Sequence, residues 1–178
     1  NTAEKAFGYR VIGDGFVIEM ASVDPEAQHL HTIYHDLGNV LGRQGAARGT
    51  RALVGNDGRR SGASLEAALA RGLSATGYTV TSAGLITTPG LAHLGRSQGF
   101  DLTVMISASH NPAEDNGLKV FGSAGEKLAD ELEDEIEAEL RARPAEIPDG
   151  PLPLQDPALE GAYLAHLLAA AGDLKLDG

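Results

Sequence analysis

The residues best equipped for chemistry stand together between positions 107 and 119. They read Ser107-Ala108-Ser109-His110-Asn111-Pro112, then Asp115-Asn116-Gly117-Leu118-Lys119. A serine in such company could be a nucleophile or a carrier of a phosphoryl group. Its proton needs an acceptor, and a phosphate on it needs cations or backbone N–H groups. His110 and Lys119 lie near enough in sequence to supply part of that. The same residues also describe an ordinary turn, because Asn-Pro and Asn-Gly are turn dipeptides and Ser109 could simply cap the loop. Composition alone favours the turn.

A second stretch, Gly55-Asn56-Asp57-Gly58-Arg59-Arg60-Ser61-Gly62, sets Arg beside Gly and Ser. That pattern can hold an anion. It can equally be a structural turn in which Asp57 accepts backbone bonds. The structural role is favoured for Asp57, and for Arg59 the two stand even. A third candidate loop is Gly84 to Thr88. For His29, His31, His35, His93 and His166 no ligand spacing backed by carboxylates is visible. His31 and His35 are four apart, as in zinc pairs, but no third ligand is evident.

The elements around these loops must place them. Arg51 to Gly55 reads as a strand ending at Gly, and Ala63 to Thr76 as a helix with Leu65, Leu69 and Leu73 on one stripe and Gly77 as its stop. Tyr78 to Thr81 reads as the next strand. Thr88-Pro89 looks like an N-cap followed by Pro at the first helical position, giving a helix from Pro89 to Ser97. Leu102 to Ile106 is continuously apolar, as in a strand buried on both faces, and Leu118 to Phe121 reads as a further short strand. Earlier, Asp24-Pro25-Glu26 starts a helix striped by Leu30, Ile33, Leu37 and Leu41. Later, Leu128, Leu132, Ile136 and Leu140 stripe another. Its acid run, Asp130 to Glu139, reads as a solvated face in preference to a cation patch. The alternation predicts a three-layer αβα domain with a mostly parallel mixed sheet. Ligand sites in such sheets lie at the carboxyl ends of the strands, where the three candidate loops fall.

The chain has 178 residues, 42% hydrophobic and 22% charged, the balance of a globular protein. Aromatic residues are 4% and Trp is absent, so Leu, Val, Ile and Ala must build the core. The net charge of -11 argues against broad binding to nucleic acid or to an anionic membrane surface. With no Cys, disulfides, thiolate metal sites and cysteine nucleophiles are excluded. No apolar run approaches the ~18 residues of a membrane span. Asn1 to Arg10 lacks a signal-peptide core, so a cytoplasmic location is the default expectation. The first residue is not Met, which suggests a processed or cut start. Arg143 to Pro157 holds five prolines and reads as a semi-rigid linker. Ala158 to Ala170 follows as a helix that either folds back on the first domain or belongs to another.

The serine stretch closely resembles the active-site serine loop of the α-D-phosphohexomutases, the family of phosphomannomutase/phosphoglucomutase and phosphoglucosamine mutase. Gly55 to Gly62 resembles that family's Gly-x-Asp-x-Arg-x-Ser-Gly loop, and Gly84-Leu85-Ile86-Thr87-Thr88-Pro89 its Gly-Leu-x-x-Thr-Pro segment. Lys5-Ala6-Phe7-Gly8-Tyr9-Arg10 loosely resembles the N-terminal Lys-Ala-Tyr-Asp-Ile-Arg-Gly, with Gly8 and Val11 standing where the motif has Asp and Gly. The resemblance implies an enzyme of four domains interconverting hexose 1-phosphates and 6-phosphates through a phosphoserine and a bisphosphorylated sugar. It implies that Ser109 is the phosphoserine, that His110 and Lys119 flank the transfer, and that Arg10 and Arg59 bind substrate. It also implies Mg²⁺, held by the Ser109 phosphate and by carboxylates of an Asp-x-Asp-x-Asp loop that this chain does not contain.

On this reading residues 1–143 form the first domain, 144–157 the linker and 158–178 the helical entry to a second. The partners are then a hexose phosphate and domains II to IV, and the chain alone is expected to be inactive. The sugar is left open: Ser-Ala-Ser-His-Asn-Pro leans toward the glucosamine branch, and Lys-Ala-Phe-Gly-Tyr-Arg toward the mannose/glucose branch. Two other readings stay open. One is a free-standing, non-catalytic phosphate-binding module of the same ancestry. The other is an unrelated α/β domain binding phosphate esters through Arg59 and the strand-end loops.

Overall fold

A computed structural model of the chain describes residues 8–11, 16–19, 28–45, 50–112, 115–126 and 152–172. The elements are β1 (Gly8–Val11), β2 (Phe16–Glu19), α1 (Gln28–Gly45), β3 (Arg51–Asn56), α2 (Gly62–Ala75), β4 (Thr79–Leu85), α3 (Thr88–Ser97), β5 (Leu102–Ile106), β6 (Asn116–Phe121), β7 (Leu154–Gln155) and α4 (Ala158–Ala171). They form a seven-stranded mixed sheet in the order β1-β2-β6-β5-β3-β4-β7. From β5 to β7 neighbouring strands are parallel, and from β5 to β1 they are antiparallel. The acid-rich helix expected over 128–140 and the Asp24-Pro25-Glu26 start lie outside the described residues.

The chain leaves β3 toward β4 through α2, then passes back over β3 to β5 through α3. Crossovers of one hand that run in opposite directions put their helices on opposite faces. Alternation within the strands follows. Ala52, Val54, Val104, Ile106, Leu118 and Val120 pack with Leu65, Leu69 and Leu73 of α2 and with Leu37, Val40 and Leu41 of α1. Leu53 and Met105 point the other way, to Leu91 and Leu94 of α3. Each fully buried Leu contributes roughly 1.5–3 kcal/mol of burial free energy.

Helix ends are held as their residues allow. Thr87, not Thr88, caps α3: its Oγ1 accepts from Gly90 N at 3.3 Å, and Pro89 stands in the first turn. The extended backbone of Thr87 suits a cap, whereas Thr88 is already helical. Gly77, at φ +95, ends α2 as expected. Within the proline-rich stretch, Leu154 and Gln155 add a parallel strand beside Thr81 and Ser82. Asp156 then starts α4, its Oδ1 accepting from Ala158 N at 2.9 Å. Leu159 of α4 is buried and Tyr163 packs alongside α3. Among the described residues no helix is long and apolar enough to cross a membrane.

Candidate active site

Three strand ends coincide. Asn56 of β3 pairs with Ile106 of β5 on one side and with Leu85 of β4 on the other. The loops beginning at Asp57, Ile86 and Ser107 therefore leave one edge of the sheet side by side. Ile86 N donates to Asn56 O at 3.0 Å, and Asp57 N to Ile106 O at 3.2 Å.

All five residues of β5 are buried, and the burial carries through Ser107 and Ala108 before Ser109 emerges exposed. Ser107 N donates to Gly117 O at 2.9 Å, and Ser107 Oγ accepts from Ser109 N at 3.1 Å. Asn111 N closes a turn on Ala108 O at 3.1 Å. Gly117 permits this closeness, because a Cβ there would lie 2.6 Å from the Ser107 carbonyl oxygen. Ser109 itself sits at φ +57, the one non-glycine residue with positive φ among those described. That conformation costs about 1–2 kcal/mol for an L-residue. Such strain persists only where surroundings over-determine it, and it clusters at functional positions. The Ser109 hydroxyl lies 3.2 Å from His110 Nδ1, and both side chains are exposed.

The β3 loop grips the serine loop from below. Arg59 Nε donates to Asp57 Oδ2 at 3.1 Å. Its Nη1 donates to Pro112 O and, at 3.1 Å, to Asp115 O. Its Nη2 donates to Ser109 O at 3.2 Å and Asn111 O at 3.1 Å. The residue expected to bind substrate is thus engaged with the chain itself. Ser61 Oγ donates to Asn116 Oδ1 at 2.5 Å. This use of the hydroxyl explains why Ser61, standing at the N-cap of α2, makes no capping bond. Asn56 Nδ2 reaches the buried Glu66 carboxylate at 2.7 Å, while its Oδ1 accepts from Gly58 N at 3.1 Å. The sequence points to none of these bracing roles for Ser61, Asn56, Glu66 and Asn116. A hydroxyl and amides at strand ends are the signal, but their partners are remote in sequence.

Lys119 pairs across the sheet with Met105, whose side chain belongs to the α3 side. Paired residues share a face, so Lys119 stands on that side, partly buried. Arg10 pairs with Val17, and Val17 with Gly117, which bonds Ser107. Its backbone therefore occupies the row that leads to the serine loop, three strand spacings or roughly 14 Å from Ser107. Among the described residues no group of three His, Cys, Asp or Glu could hold a metal; the side chain of His31 lies outside them, and that of His35 within. His35 is buried, with Nδ1 3.2 Å from Asp36 Oδ1. The Mg²⁺ implied by the resemblance thus lacks a carboxylate set in the described part of this chain, where Ser109 would offer it a single oxygen-bearing group.

Fold and loops together define a three-layer α/β/α domain that presents its candidate chemistry at the carboxyl edge of parallel strands. Residues 17–146 match the family model described as phosphoglucomutase/phosphomannomutase, alpha/beta/alpha domain I, and the chain belongs to this family. It is 52% identical over 111 residues to the phosphoglucosamine mutase of Staphylococcus aureus strain JH9, an overlap of 62% of this chain and 25% of that protein. The protein of the same name from strain Newman matches equally. The chain thus spans about a quarter of the length of these curated relatives. Among solved structures, a protein from Thermus thermophilus provisionally named a phosphomannomutase aligns at a TM-score of 0.68 and 28% identity, over 92% of this chain and 37% of that one. A phosphoglucomutase/phosphomannomutase family protein from Burkholderia thailandensis shares the fold at a TM-score of 0.64 and 24% identity, over 97% of this chain and 36% of that one.

Proposed function

We propose that this chain is the serine-bearing first domain of a phosphohexomutase, in which Ser109 carries the phosphoryl group. The observation that supports it most is the exposed Ser109, held at φ +57 beyond a buried strand with its hydroxyl 3.2 Å from an imidazole. In the reaction, phosphorus passes from Ser109 Oγ to a hydroxyl oxygen of a hexose monophosphate. The serine P–O bond breaks as the sugar P–O bond forms, the sugar hydroxyl gives up its proton, and Ser109 Oγ regains one. His110 Nδ1 is placed to exchange that proton at Oγ. The bisphosphate then turns end for end, and the reverse transfer returns its other phosphoryl group to Ser109.

Phosphoryl transfer depends on position and charge neutralisation more than on covalent machinery. Lys119 and Arg10 are the cations proposed to meet substrate. Lys119 has no ion pair among the described residues. Mg²⁺ would add neutralising charge at the phosphoserine, with carboxylates supplied from outside the described residues. Further domains are proposed to complete the site, so that the isolated chain is inactive and the complete enzyme works in the cytoplasm. The relatives named phosphoglucosamine mutase favour a glucosamine phosphate as the hexose.

The test is Ser109→Ala in the complete protein. Conversion of hexose 1-phosphate to 6-phosphate should fall to background, and the phosphate adduct on the peptide holding Ser109 should vanish from its mass spectrum. Retained turnover would overturn the assignment.

A further inference from the structure

We infer that Arg59 is the positioning residue of the serine loop, acting on phosphoryl transfer through the Ser109 backbone without touching substrate. The inference rests on the reading of Ser109 as phosphoryl carrier. A guanidinium offers five N–H donors and no acceptor. In Arg59 all five are matched, one to the Asp57 carboxylate and four to the carbonyls of Ser109, Asn111, Pro112 and Asp115. No donor is left over for a sugar phosphate. The side chain is only 12% exposed, so the fork lies inside the loop.

Peptide geometry says what the fork accomplishes. In a trans peptide the C=O and the following N–H point in opposite directions. Holding the Ser109 carbonyl on Arg59 therefore aims the His110 N–H away from the guanidinium, and it fixes the peptide that follows the strained φ of Ser109. Four carbonyl oxygens that would repel an incoming phosphate are gathered onto one largely covered cation. Asp57 neutralises that cation at 3.1 Å, so the pair orients the loop more than it attracts an anion. A lysine keeps the charge but lacks the planar fork, which separates orientation from charge.

The experiment compares Arg59→Lys and Arg59→Ala with the native residue in the complete protein, reading steady-state kinetics on a hexose phosphate and amide hydrogen exchange. A nucleophile misplaced by about 1 Å loses on the order of a hundredfold in rate. The expected result for Arg59→Lys is that loss in kcat with KM unchanged. Exchange at Asn111 and Asp115, whose amides donate to Ala108 O and Pro112 O, should accelerate by about tenfold or more while β3 and β5 keep their protection. Raised KM with native kcat would return Arg59 to substrate binding and overturn the inference. Native kcat in Arg59→Lys would overturn it too, as would unchanged loop exchange in both variants. Should Arg59→Ala not fold, Arg59→Lys carries both readings. If the unaltered protein shows neither turnover nor phosphate on Ser109, the mutase reading falls with the catalytic half of this inference, and loop exchange still decides whether Arg59 is the clamp.

Discussion

On one face of the sheet, α1 and α2 press together over a broad aliphatic layer; on the other, α3 and α4 cover a much smaller one. The first pair meets backbone to backbone. A Cβ at Gly72 would fall inside the His35 carbonyl oxygen, and one at Gly38 inside that of Leu69. The second pair meets through rings: His93 stacks on His166 with centroids 3.6 Å apart, and Tyr163 lies across Gly90. Beyond Leu159 the α4 helix leaves Leu164, Leu167 and Leu168 exposed at 51%, 44% and 74%. The contrast teaches that β3 and β5, which carry the serine loop and its brace, are anchored on both faces but far more closely on the α1/α2 side.

That division can be broken or sharpened by mutation. The largest effect is expected for Gly72→Val, which must push α1 off α2. It should cost about 3 kcal/mol of global stability in denaturant melts. Leu159→Ala should cost about 2 kcal/mol, read as faster amide exchange confined to α4 and the end of α3. If α1 and α2 amides accelerate equally, the two faces are one cooperative unit and the contrast fails. Leu168→Ser, on the uncovered side of α4, should stay within about 0.5 kcal/mol in the same melts.

The smallest effect is a pH dependence. The pKa of His93 lies below the ordinary imidazole value of 6.5, lowered first by burial and then by the charges of His166 and Arg96. The folded chain thus takes up this proton less readily than the unfolded chain. The stability tied to the ring stack is full above about pH 6.5 and declines as pH falls through the lower folded value. NMR titration of the His93 ring checks the direction, and His93→Asn should flatten the acid dependence of α4 exchange.

Much of this architecture is legible because the signals are local. Leu102–Ile106 has the ends its apolar run suggests, and Gly77 stops α2. The hairpin of β1 and β2 is not legible, because each strand has only four residues and gains its place by pairing, β2 with the remote β6. Nor is β7, because two residues among prolines carry no period. The candidate loops stand out by their residue types, yet the task of Arg59 does not. Its carbonyl partners lie fifty or more residues onward, and carbonyls have no letter in a sequence.

The twist at Ser109 has a bearing on descent. At φ +57 glycine would be the more comfortable occupant, and a chain with no use for the hydroxyl would gain by drifting to it. A side chain with an oxygen thus stands where the backbone favours none, at a cost of about 1–2 kcal/mol. On the role proposed for Ser109, Ser109→Gly is therefore the replacement expected to remove the phosphoryl carrier while relaxing the backbone of the loop.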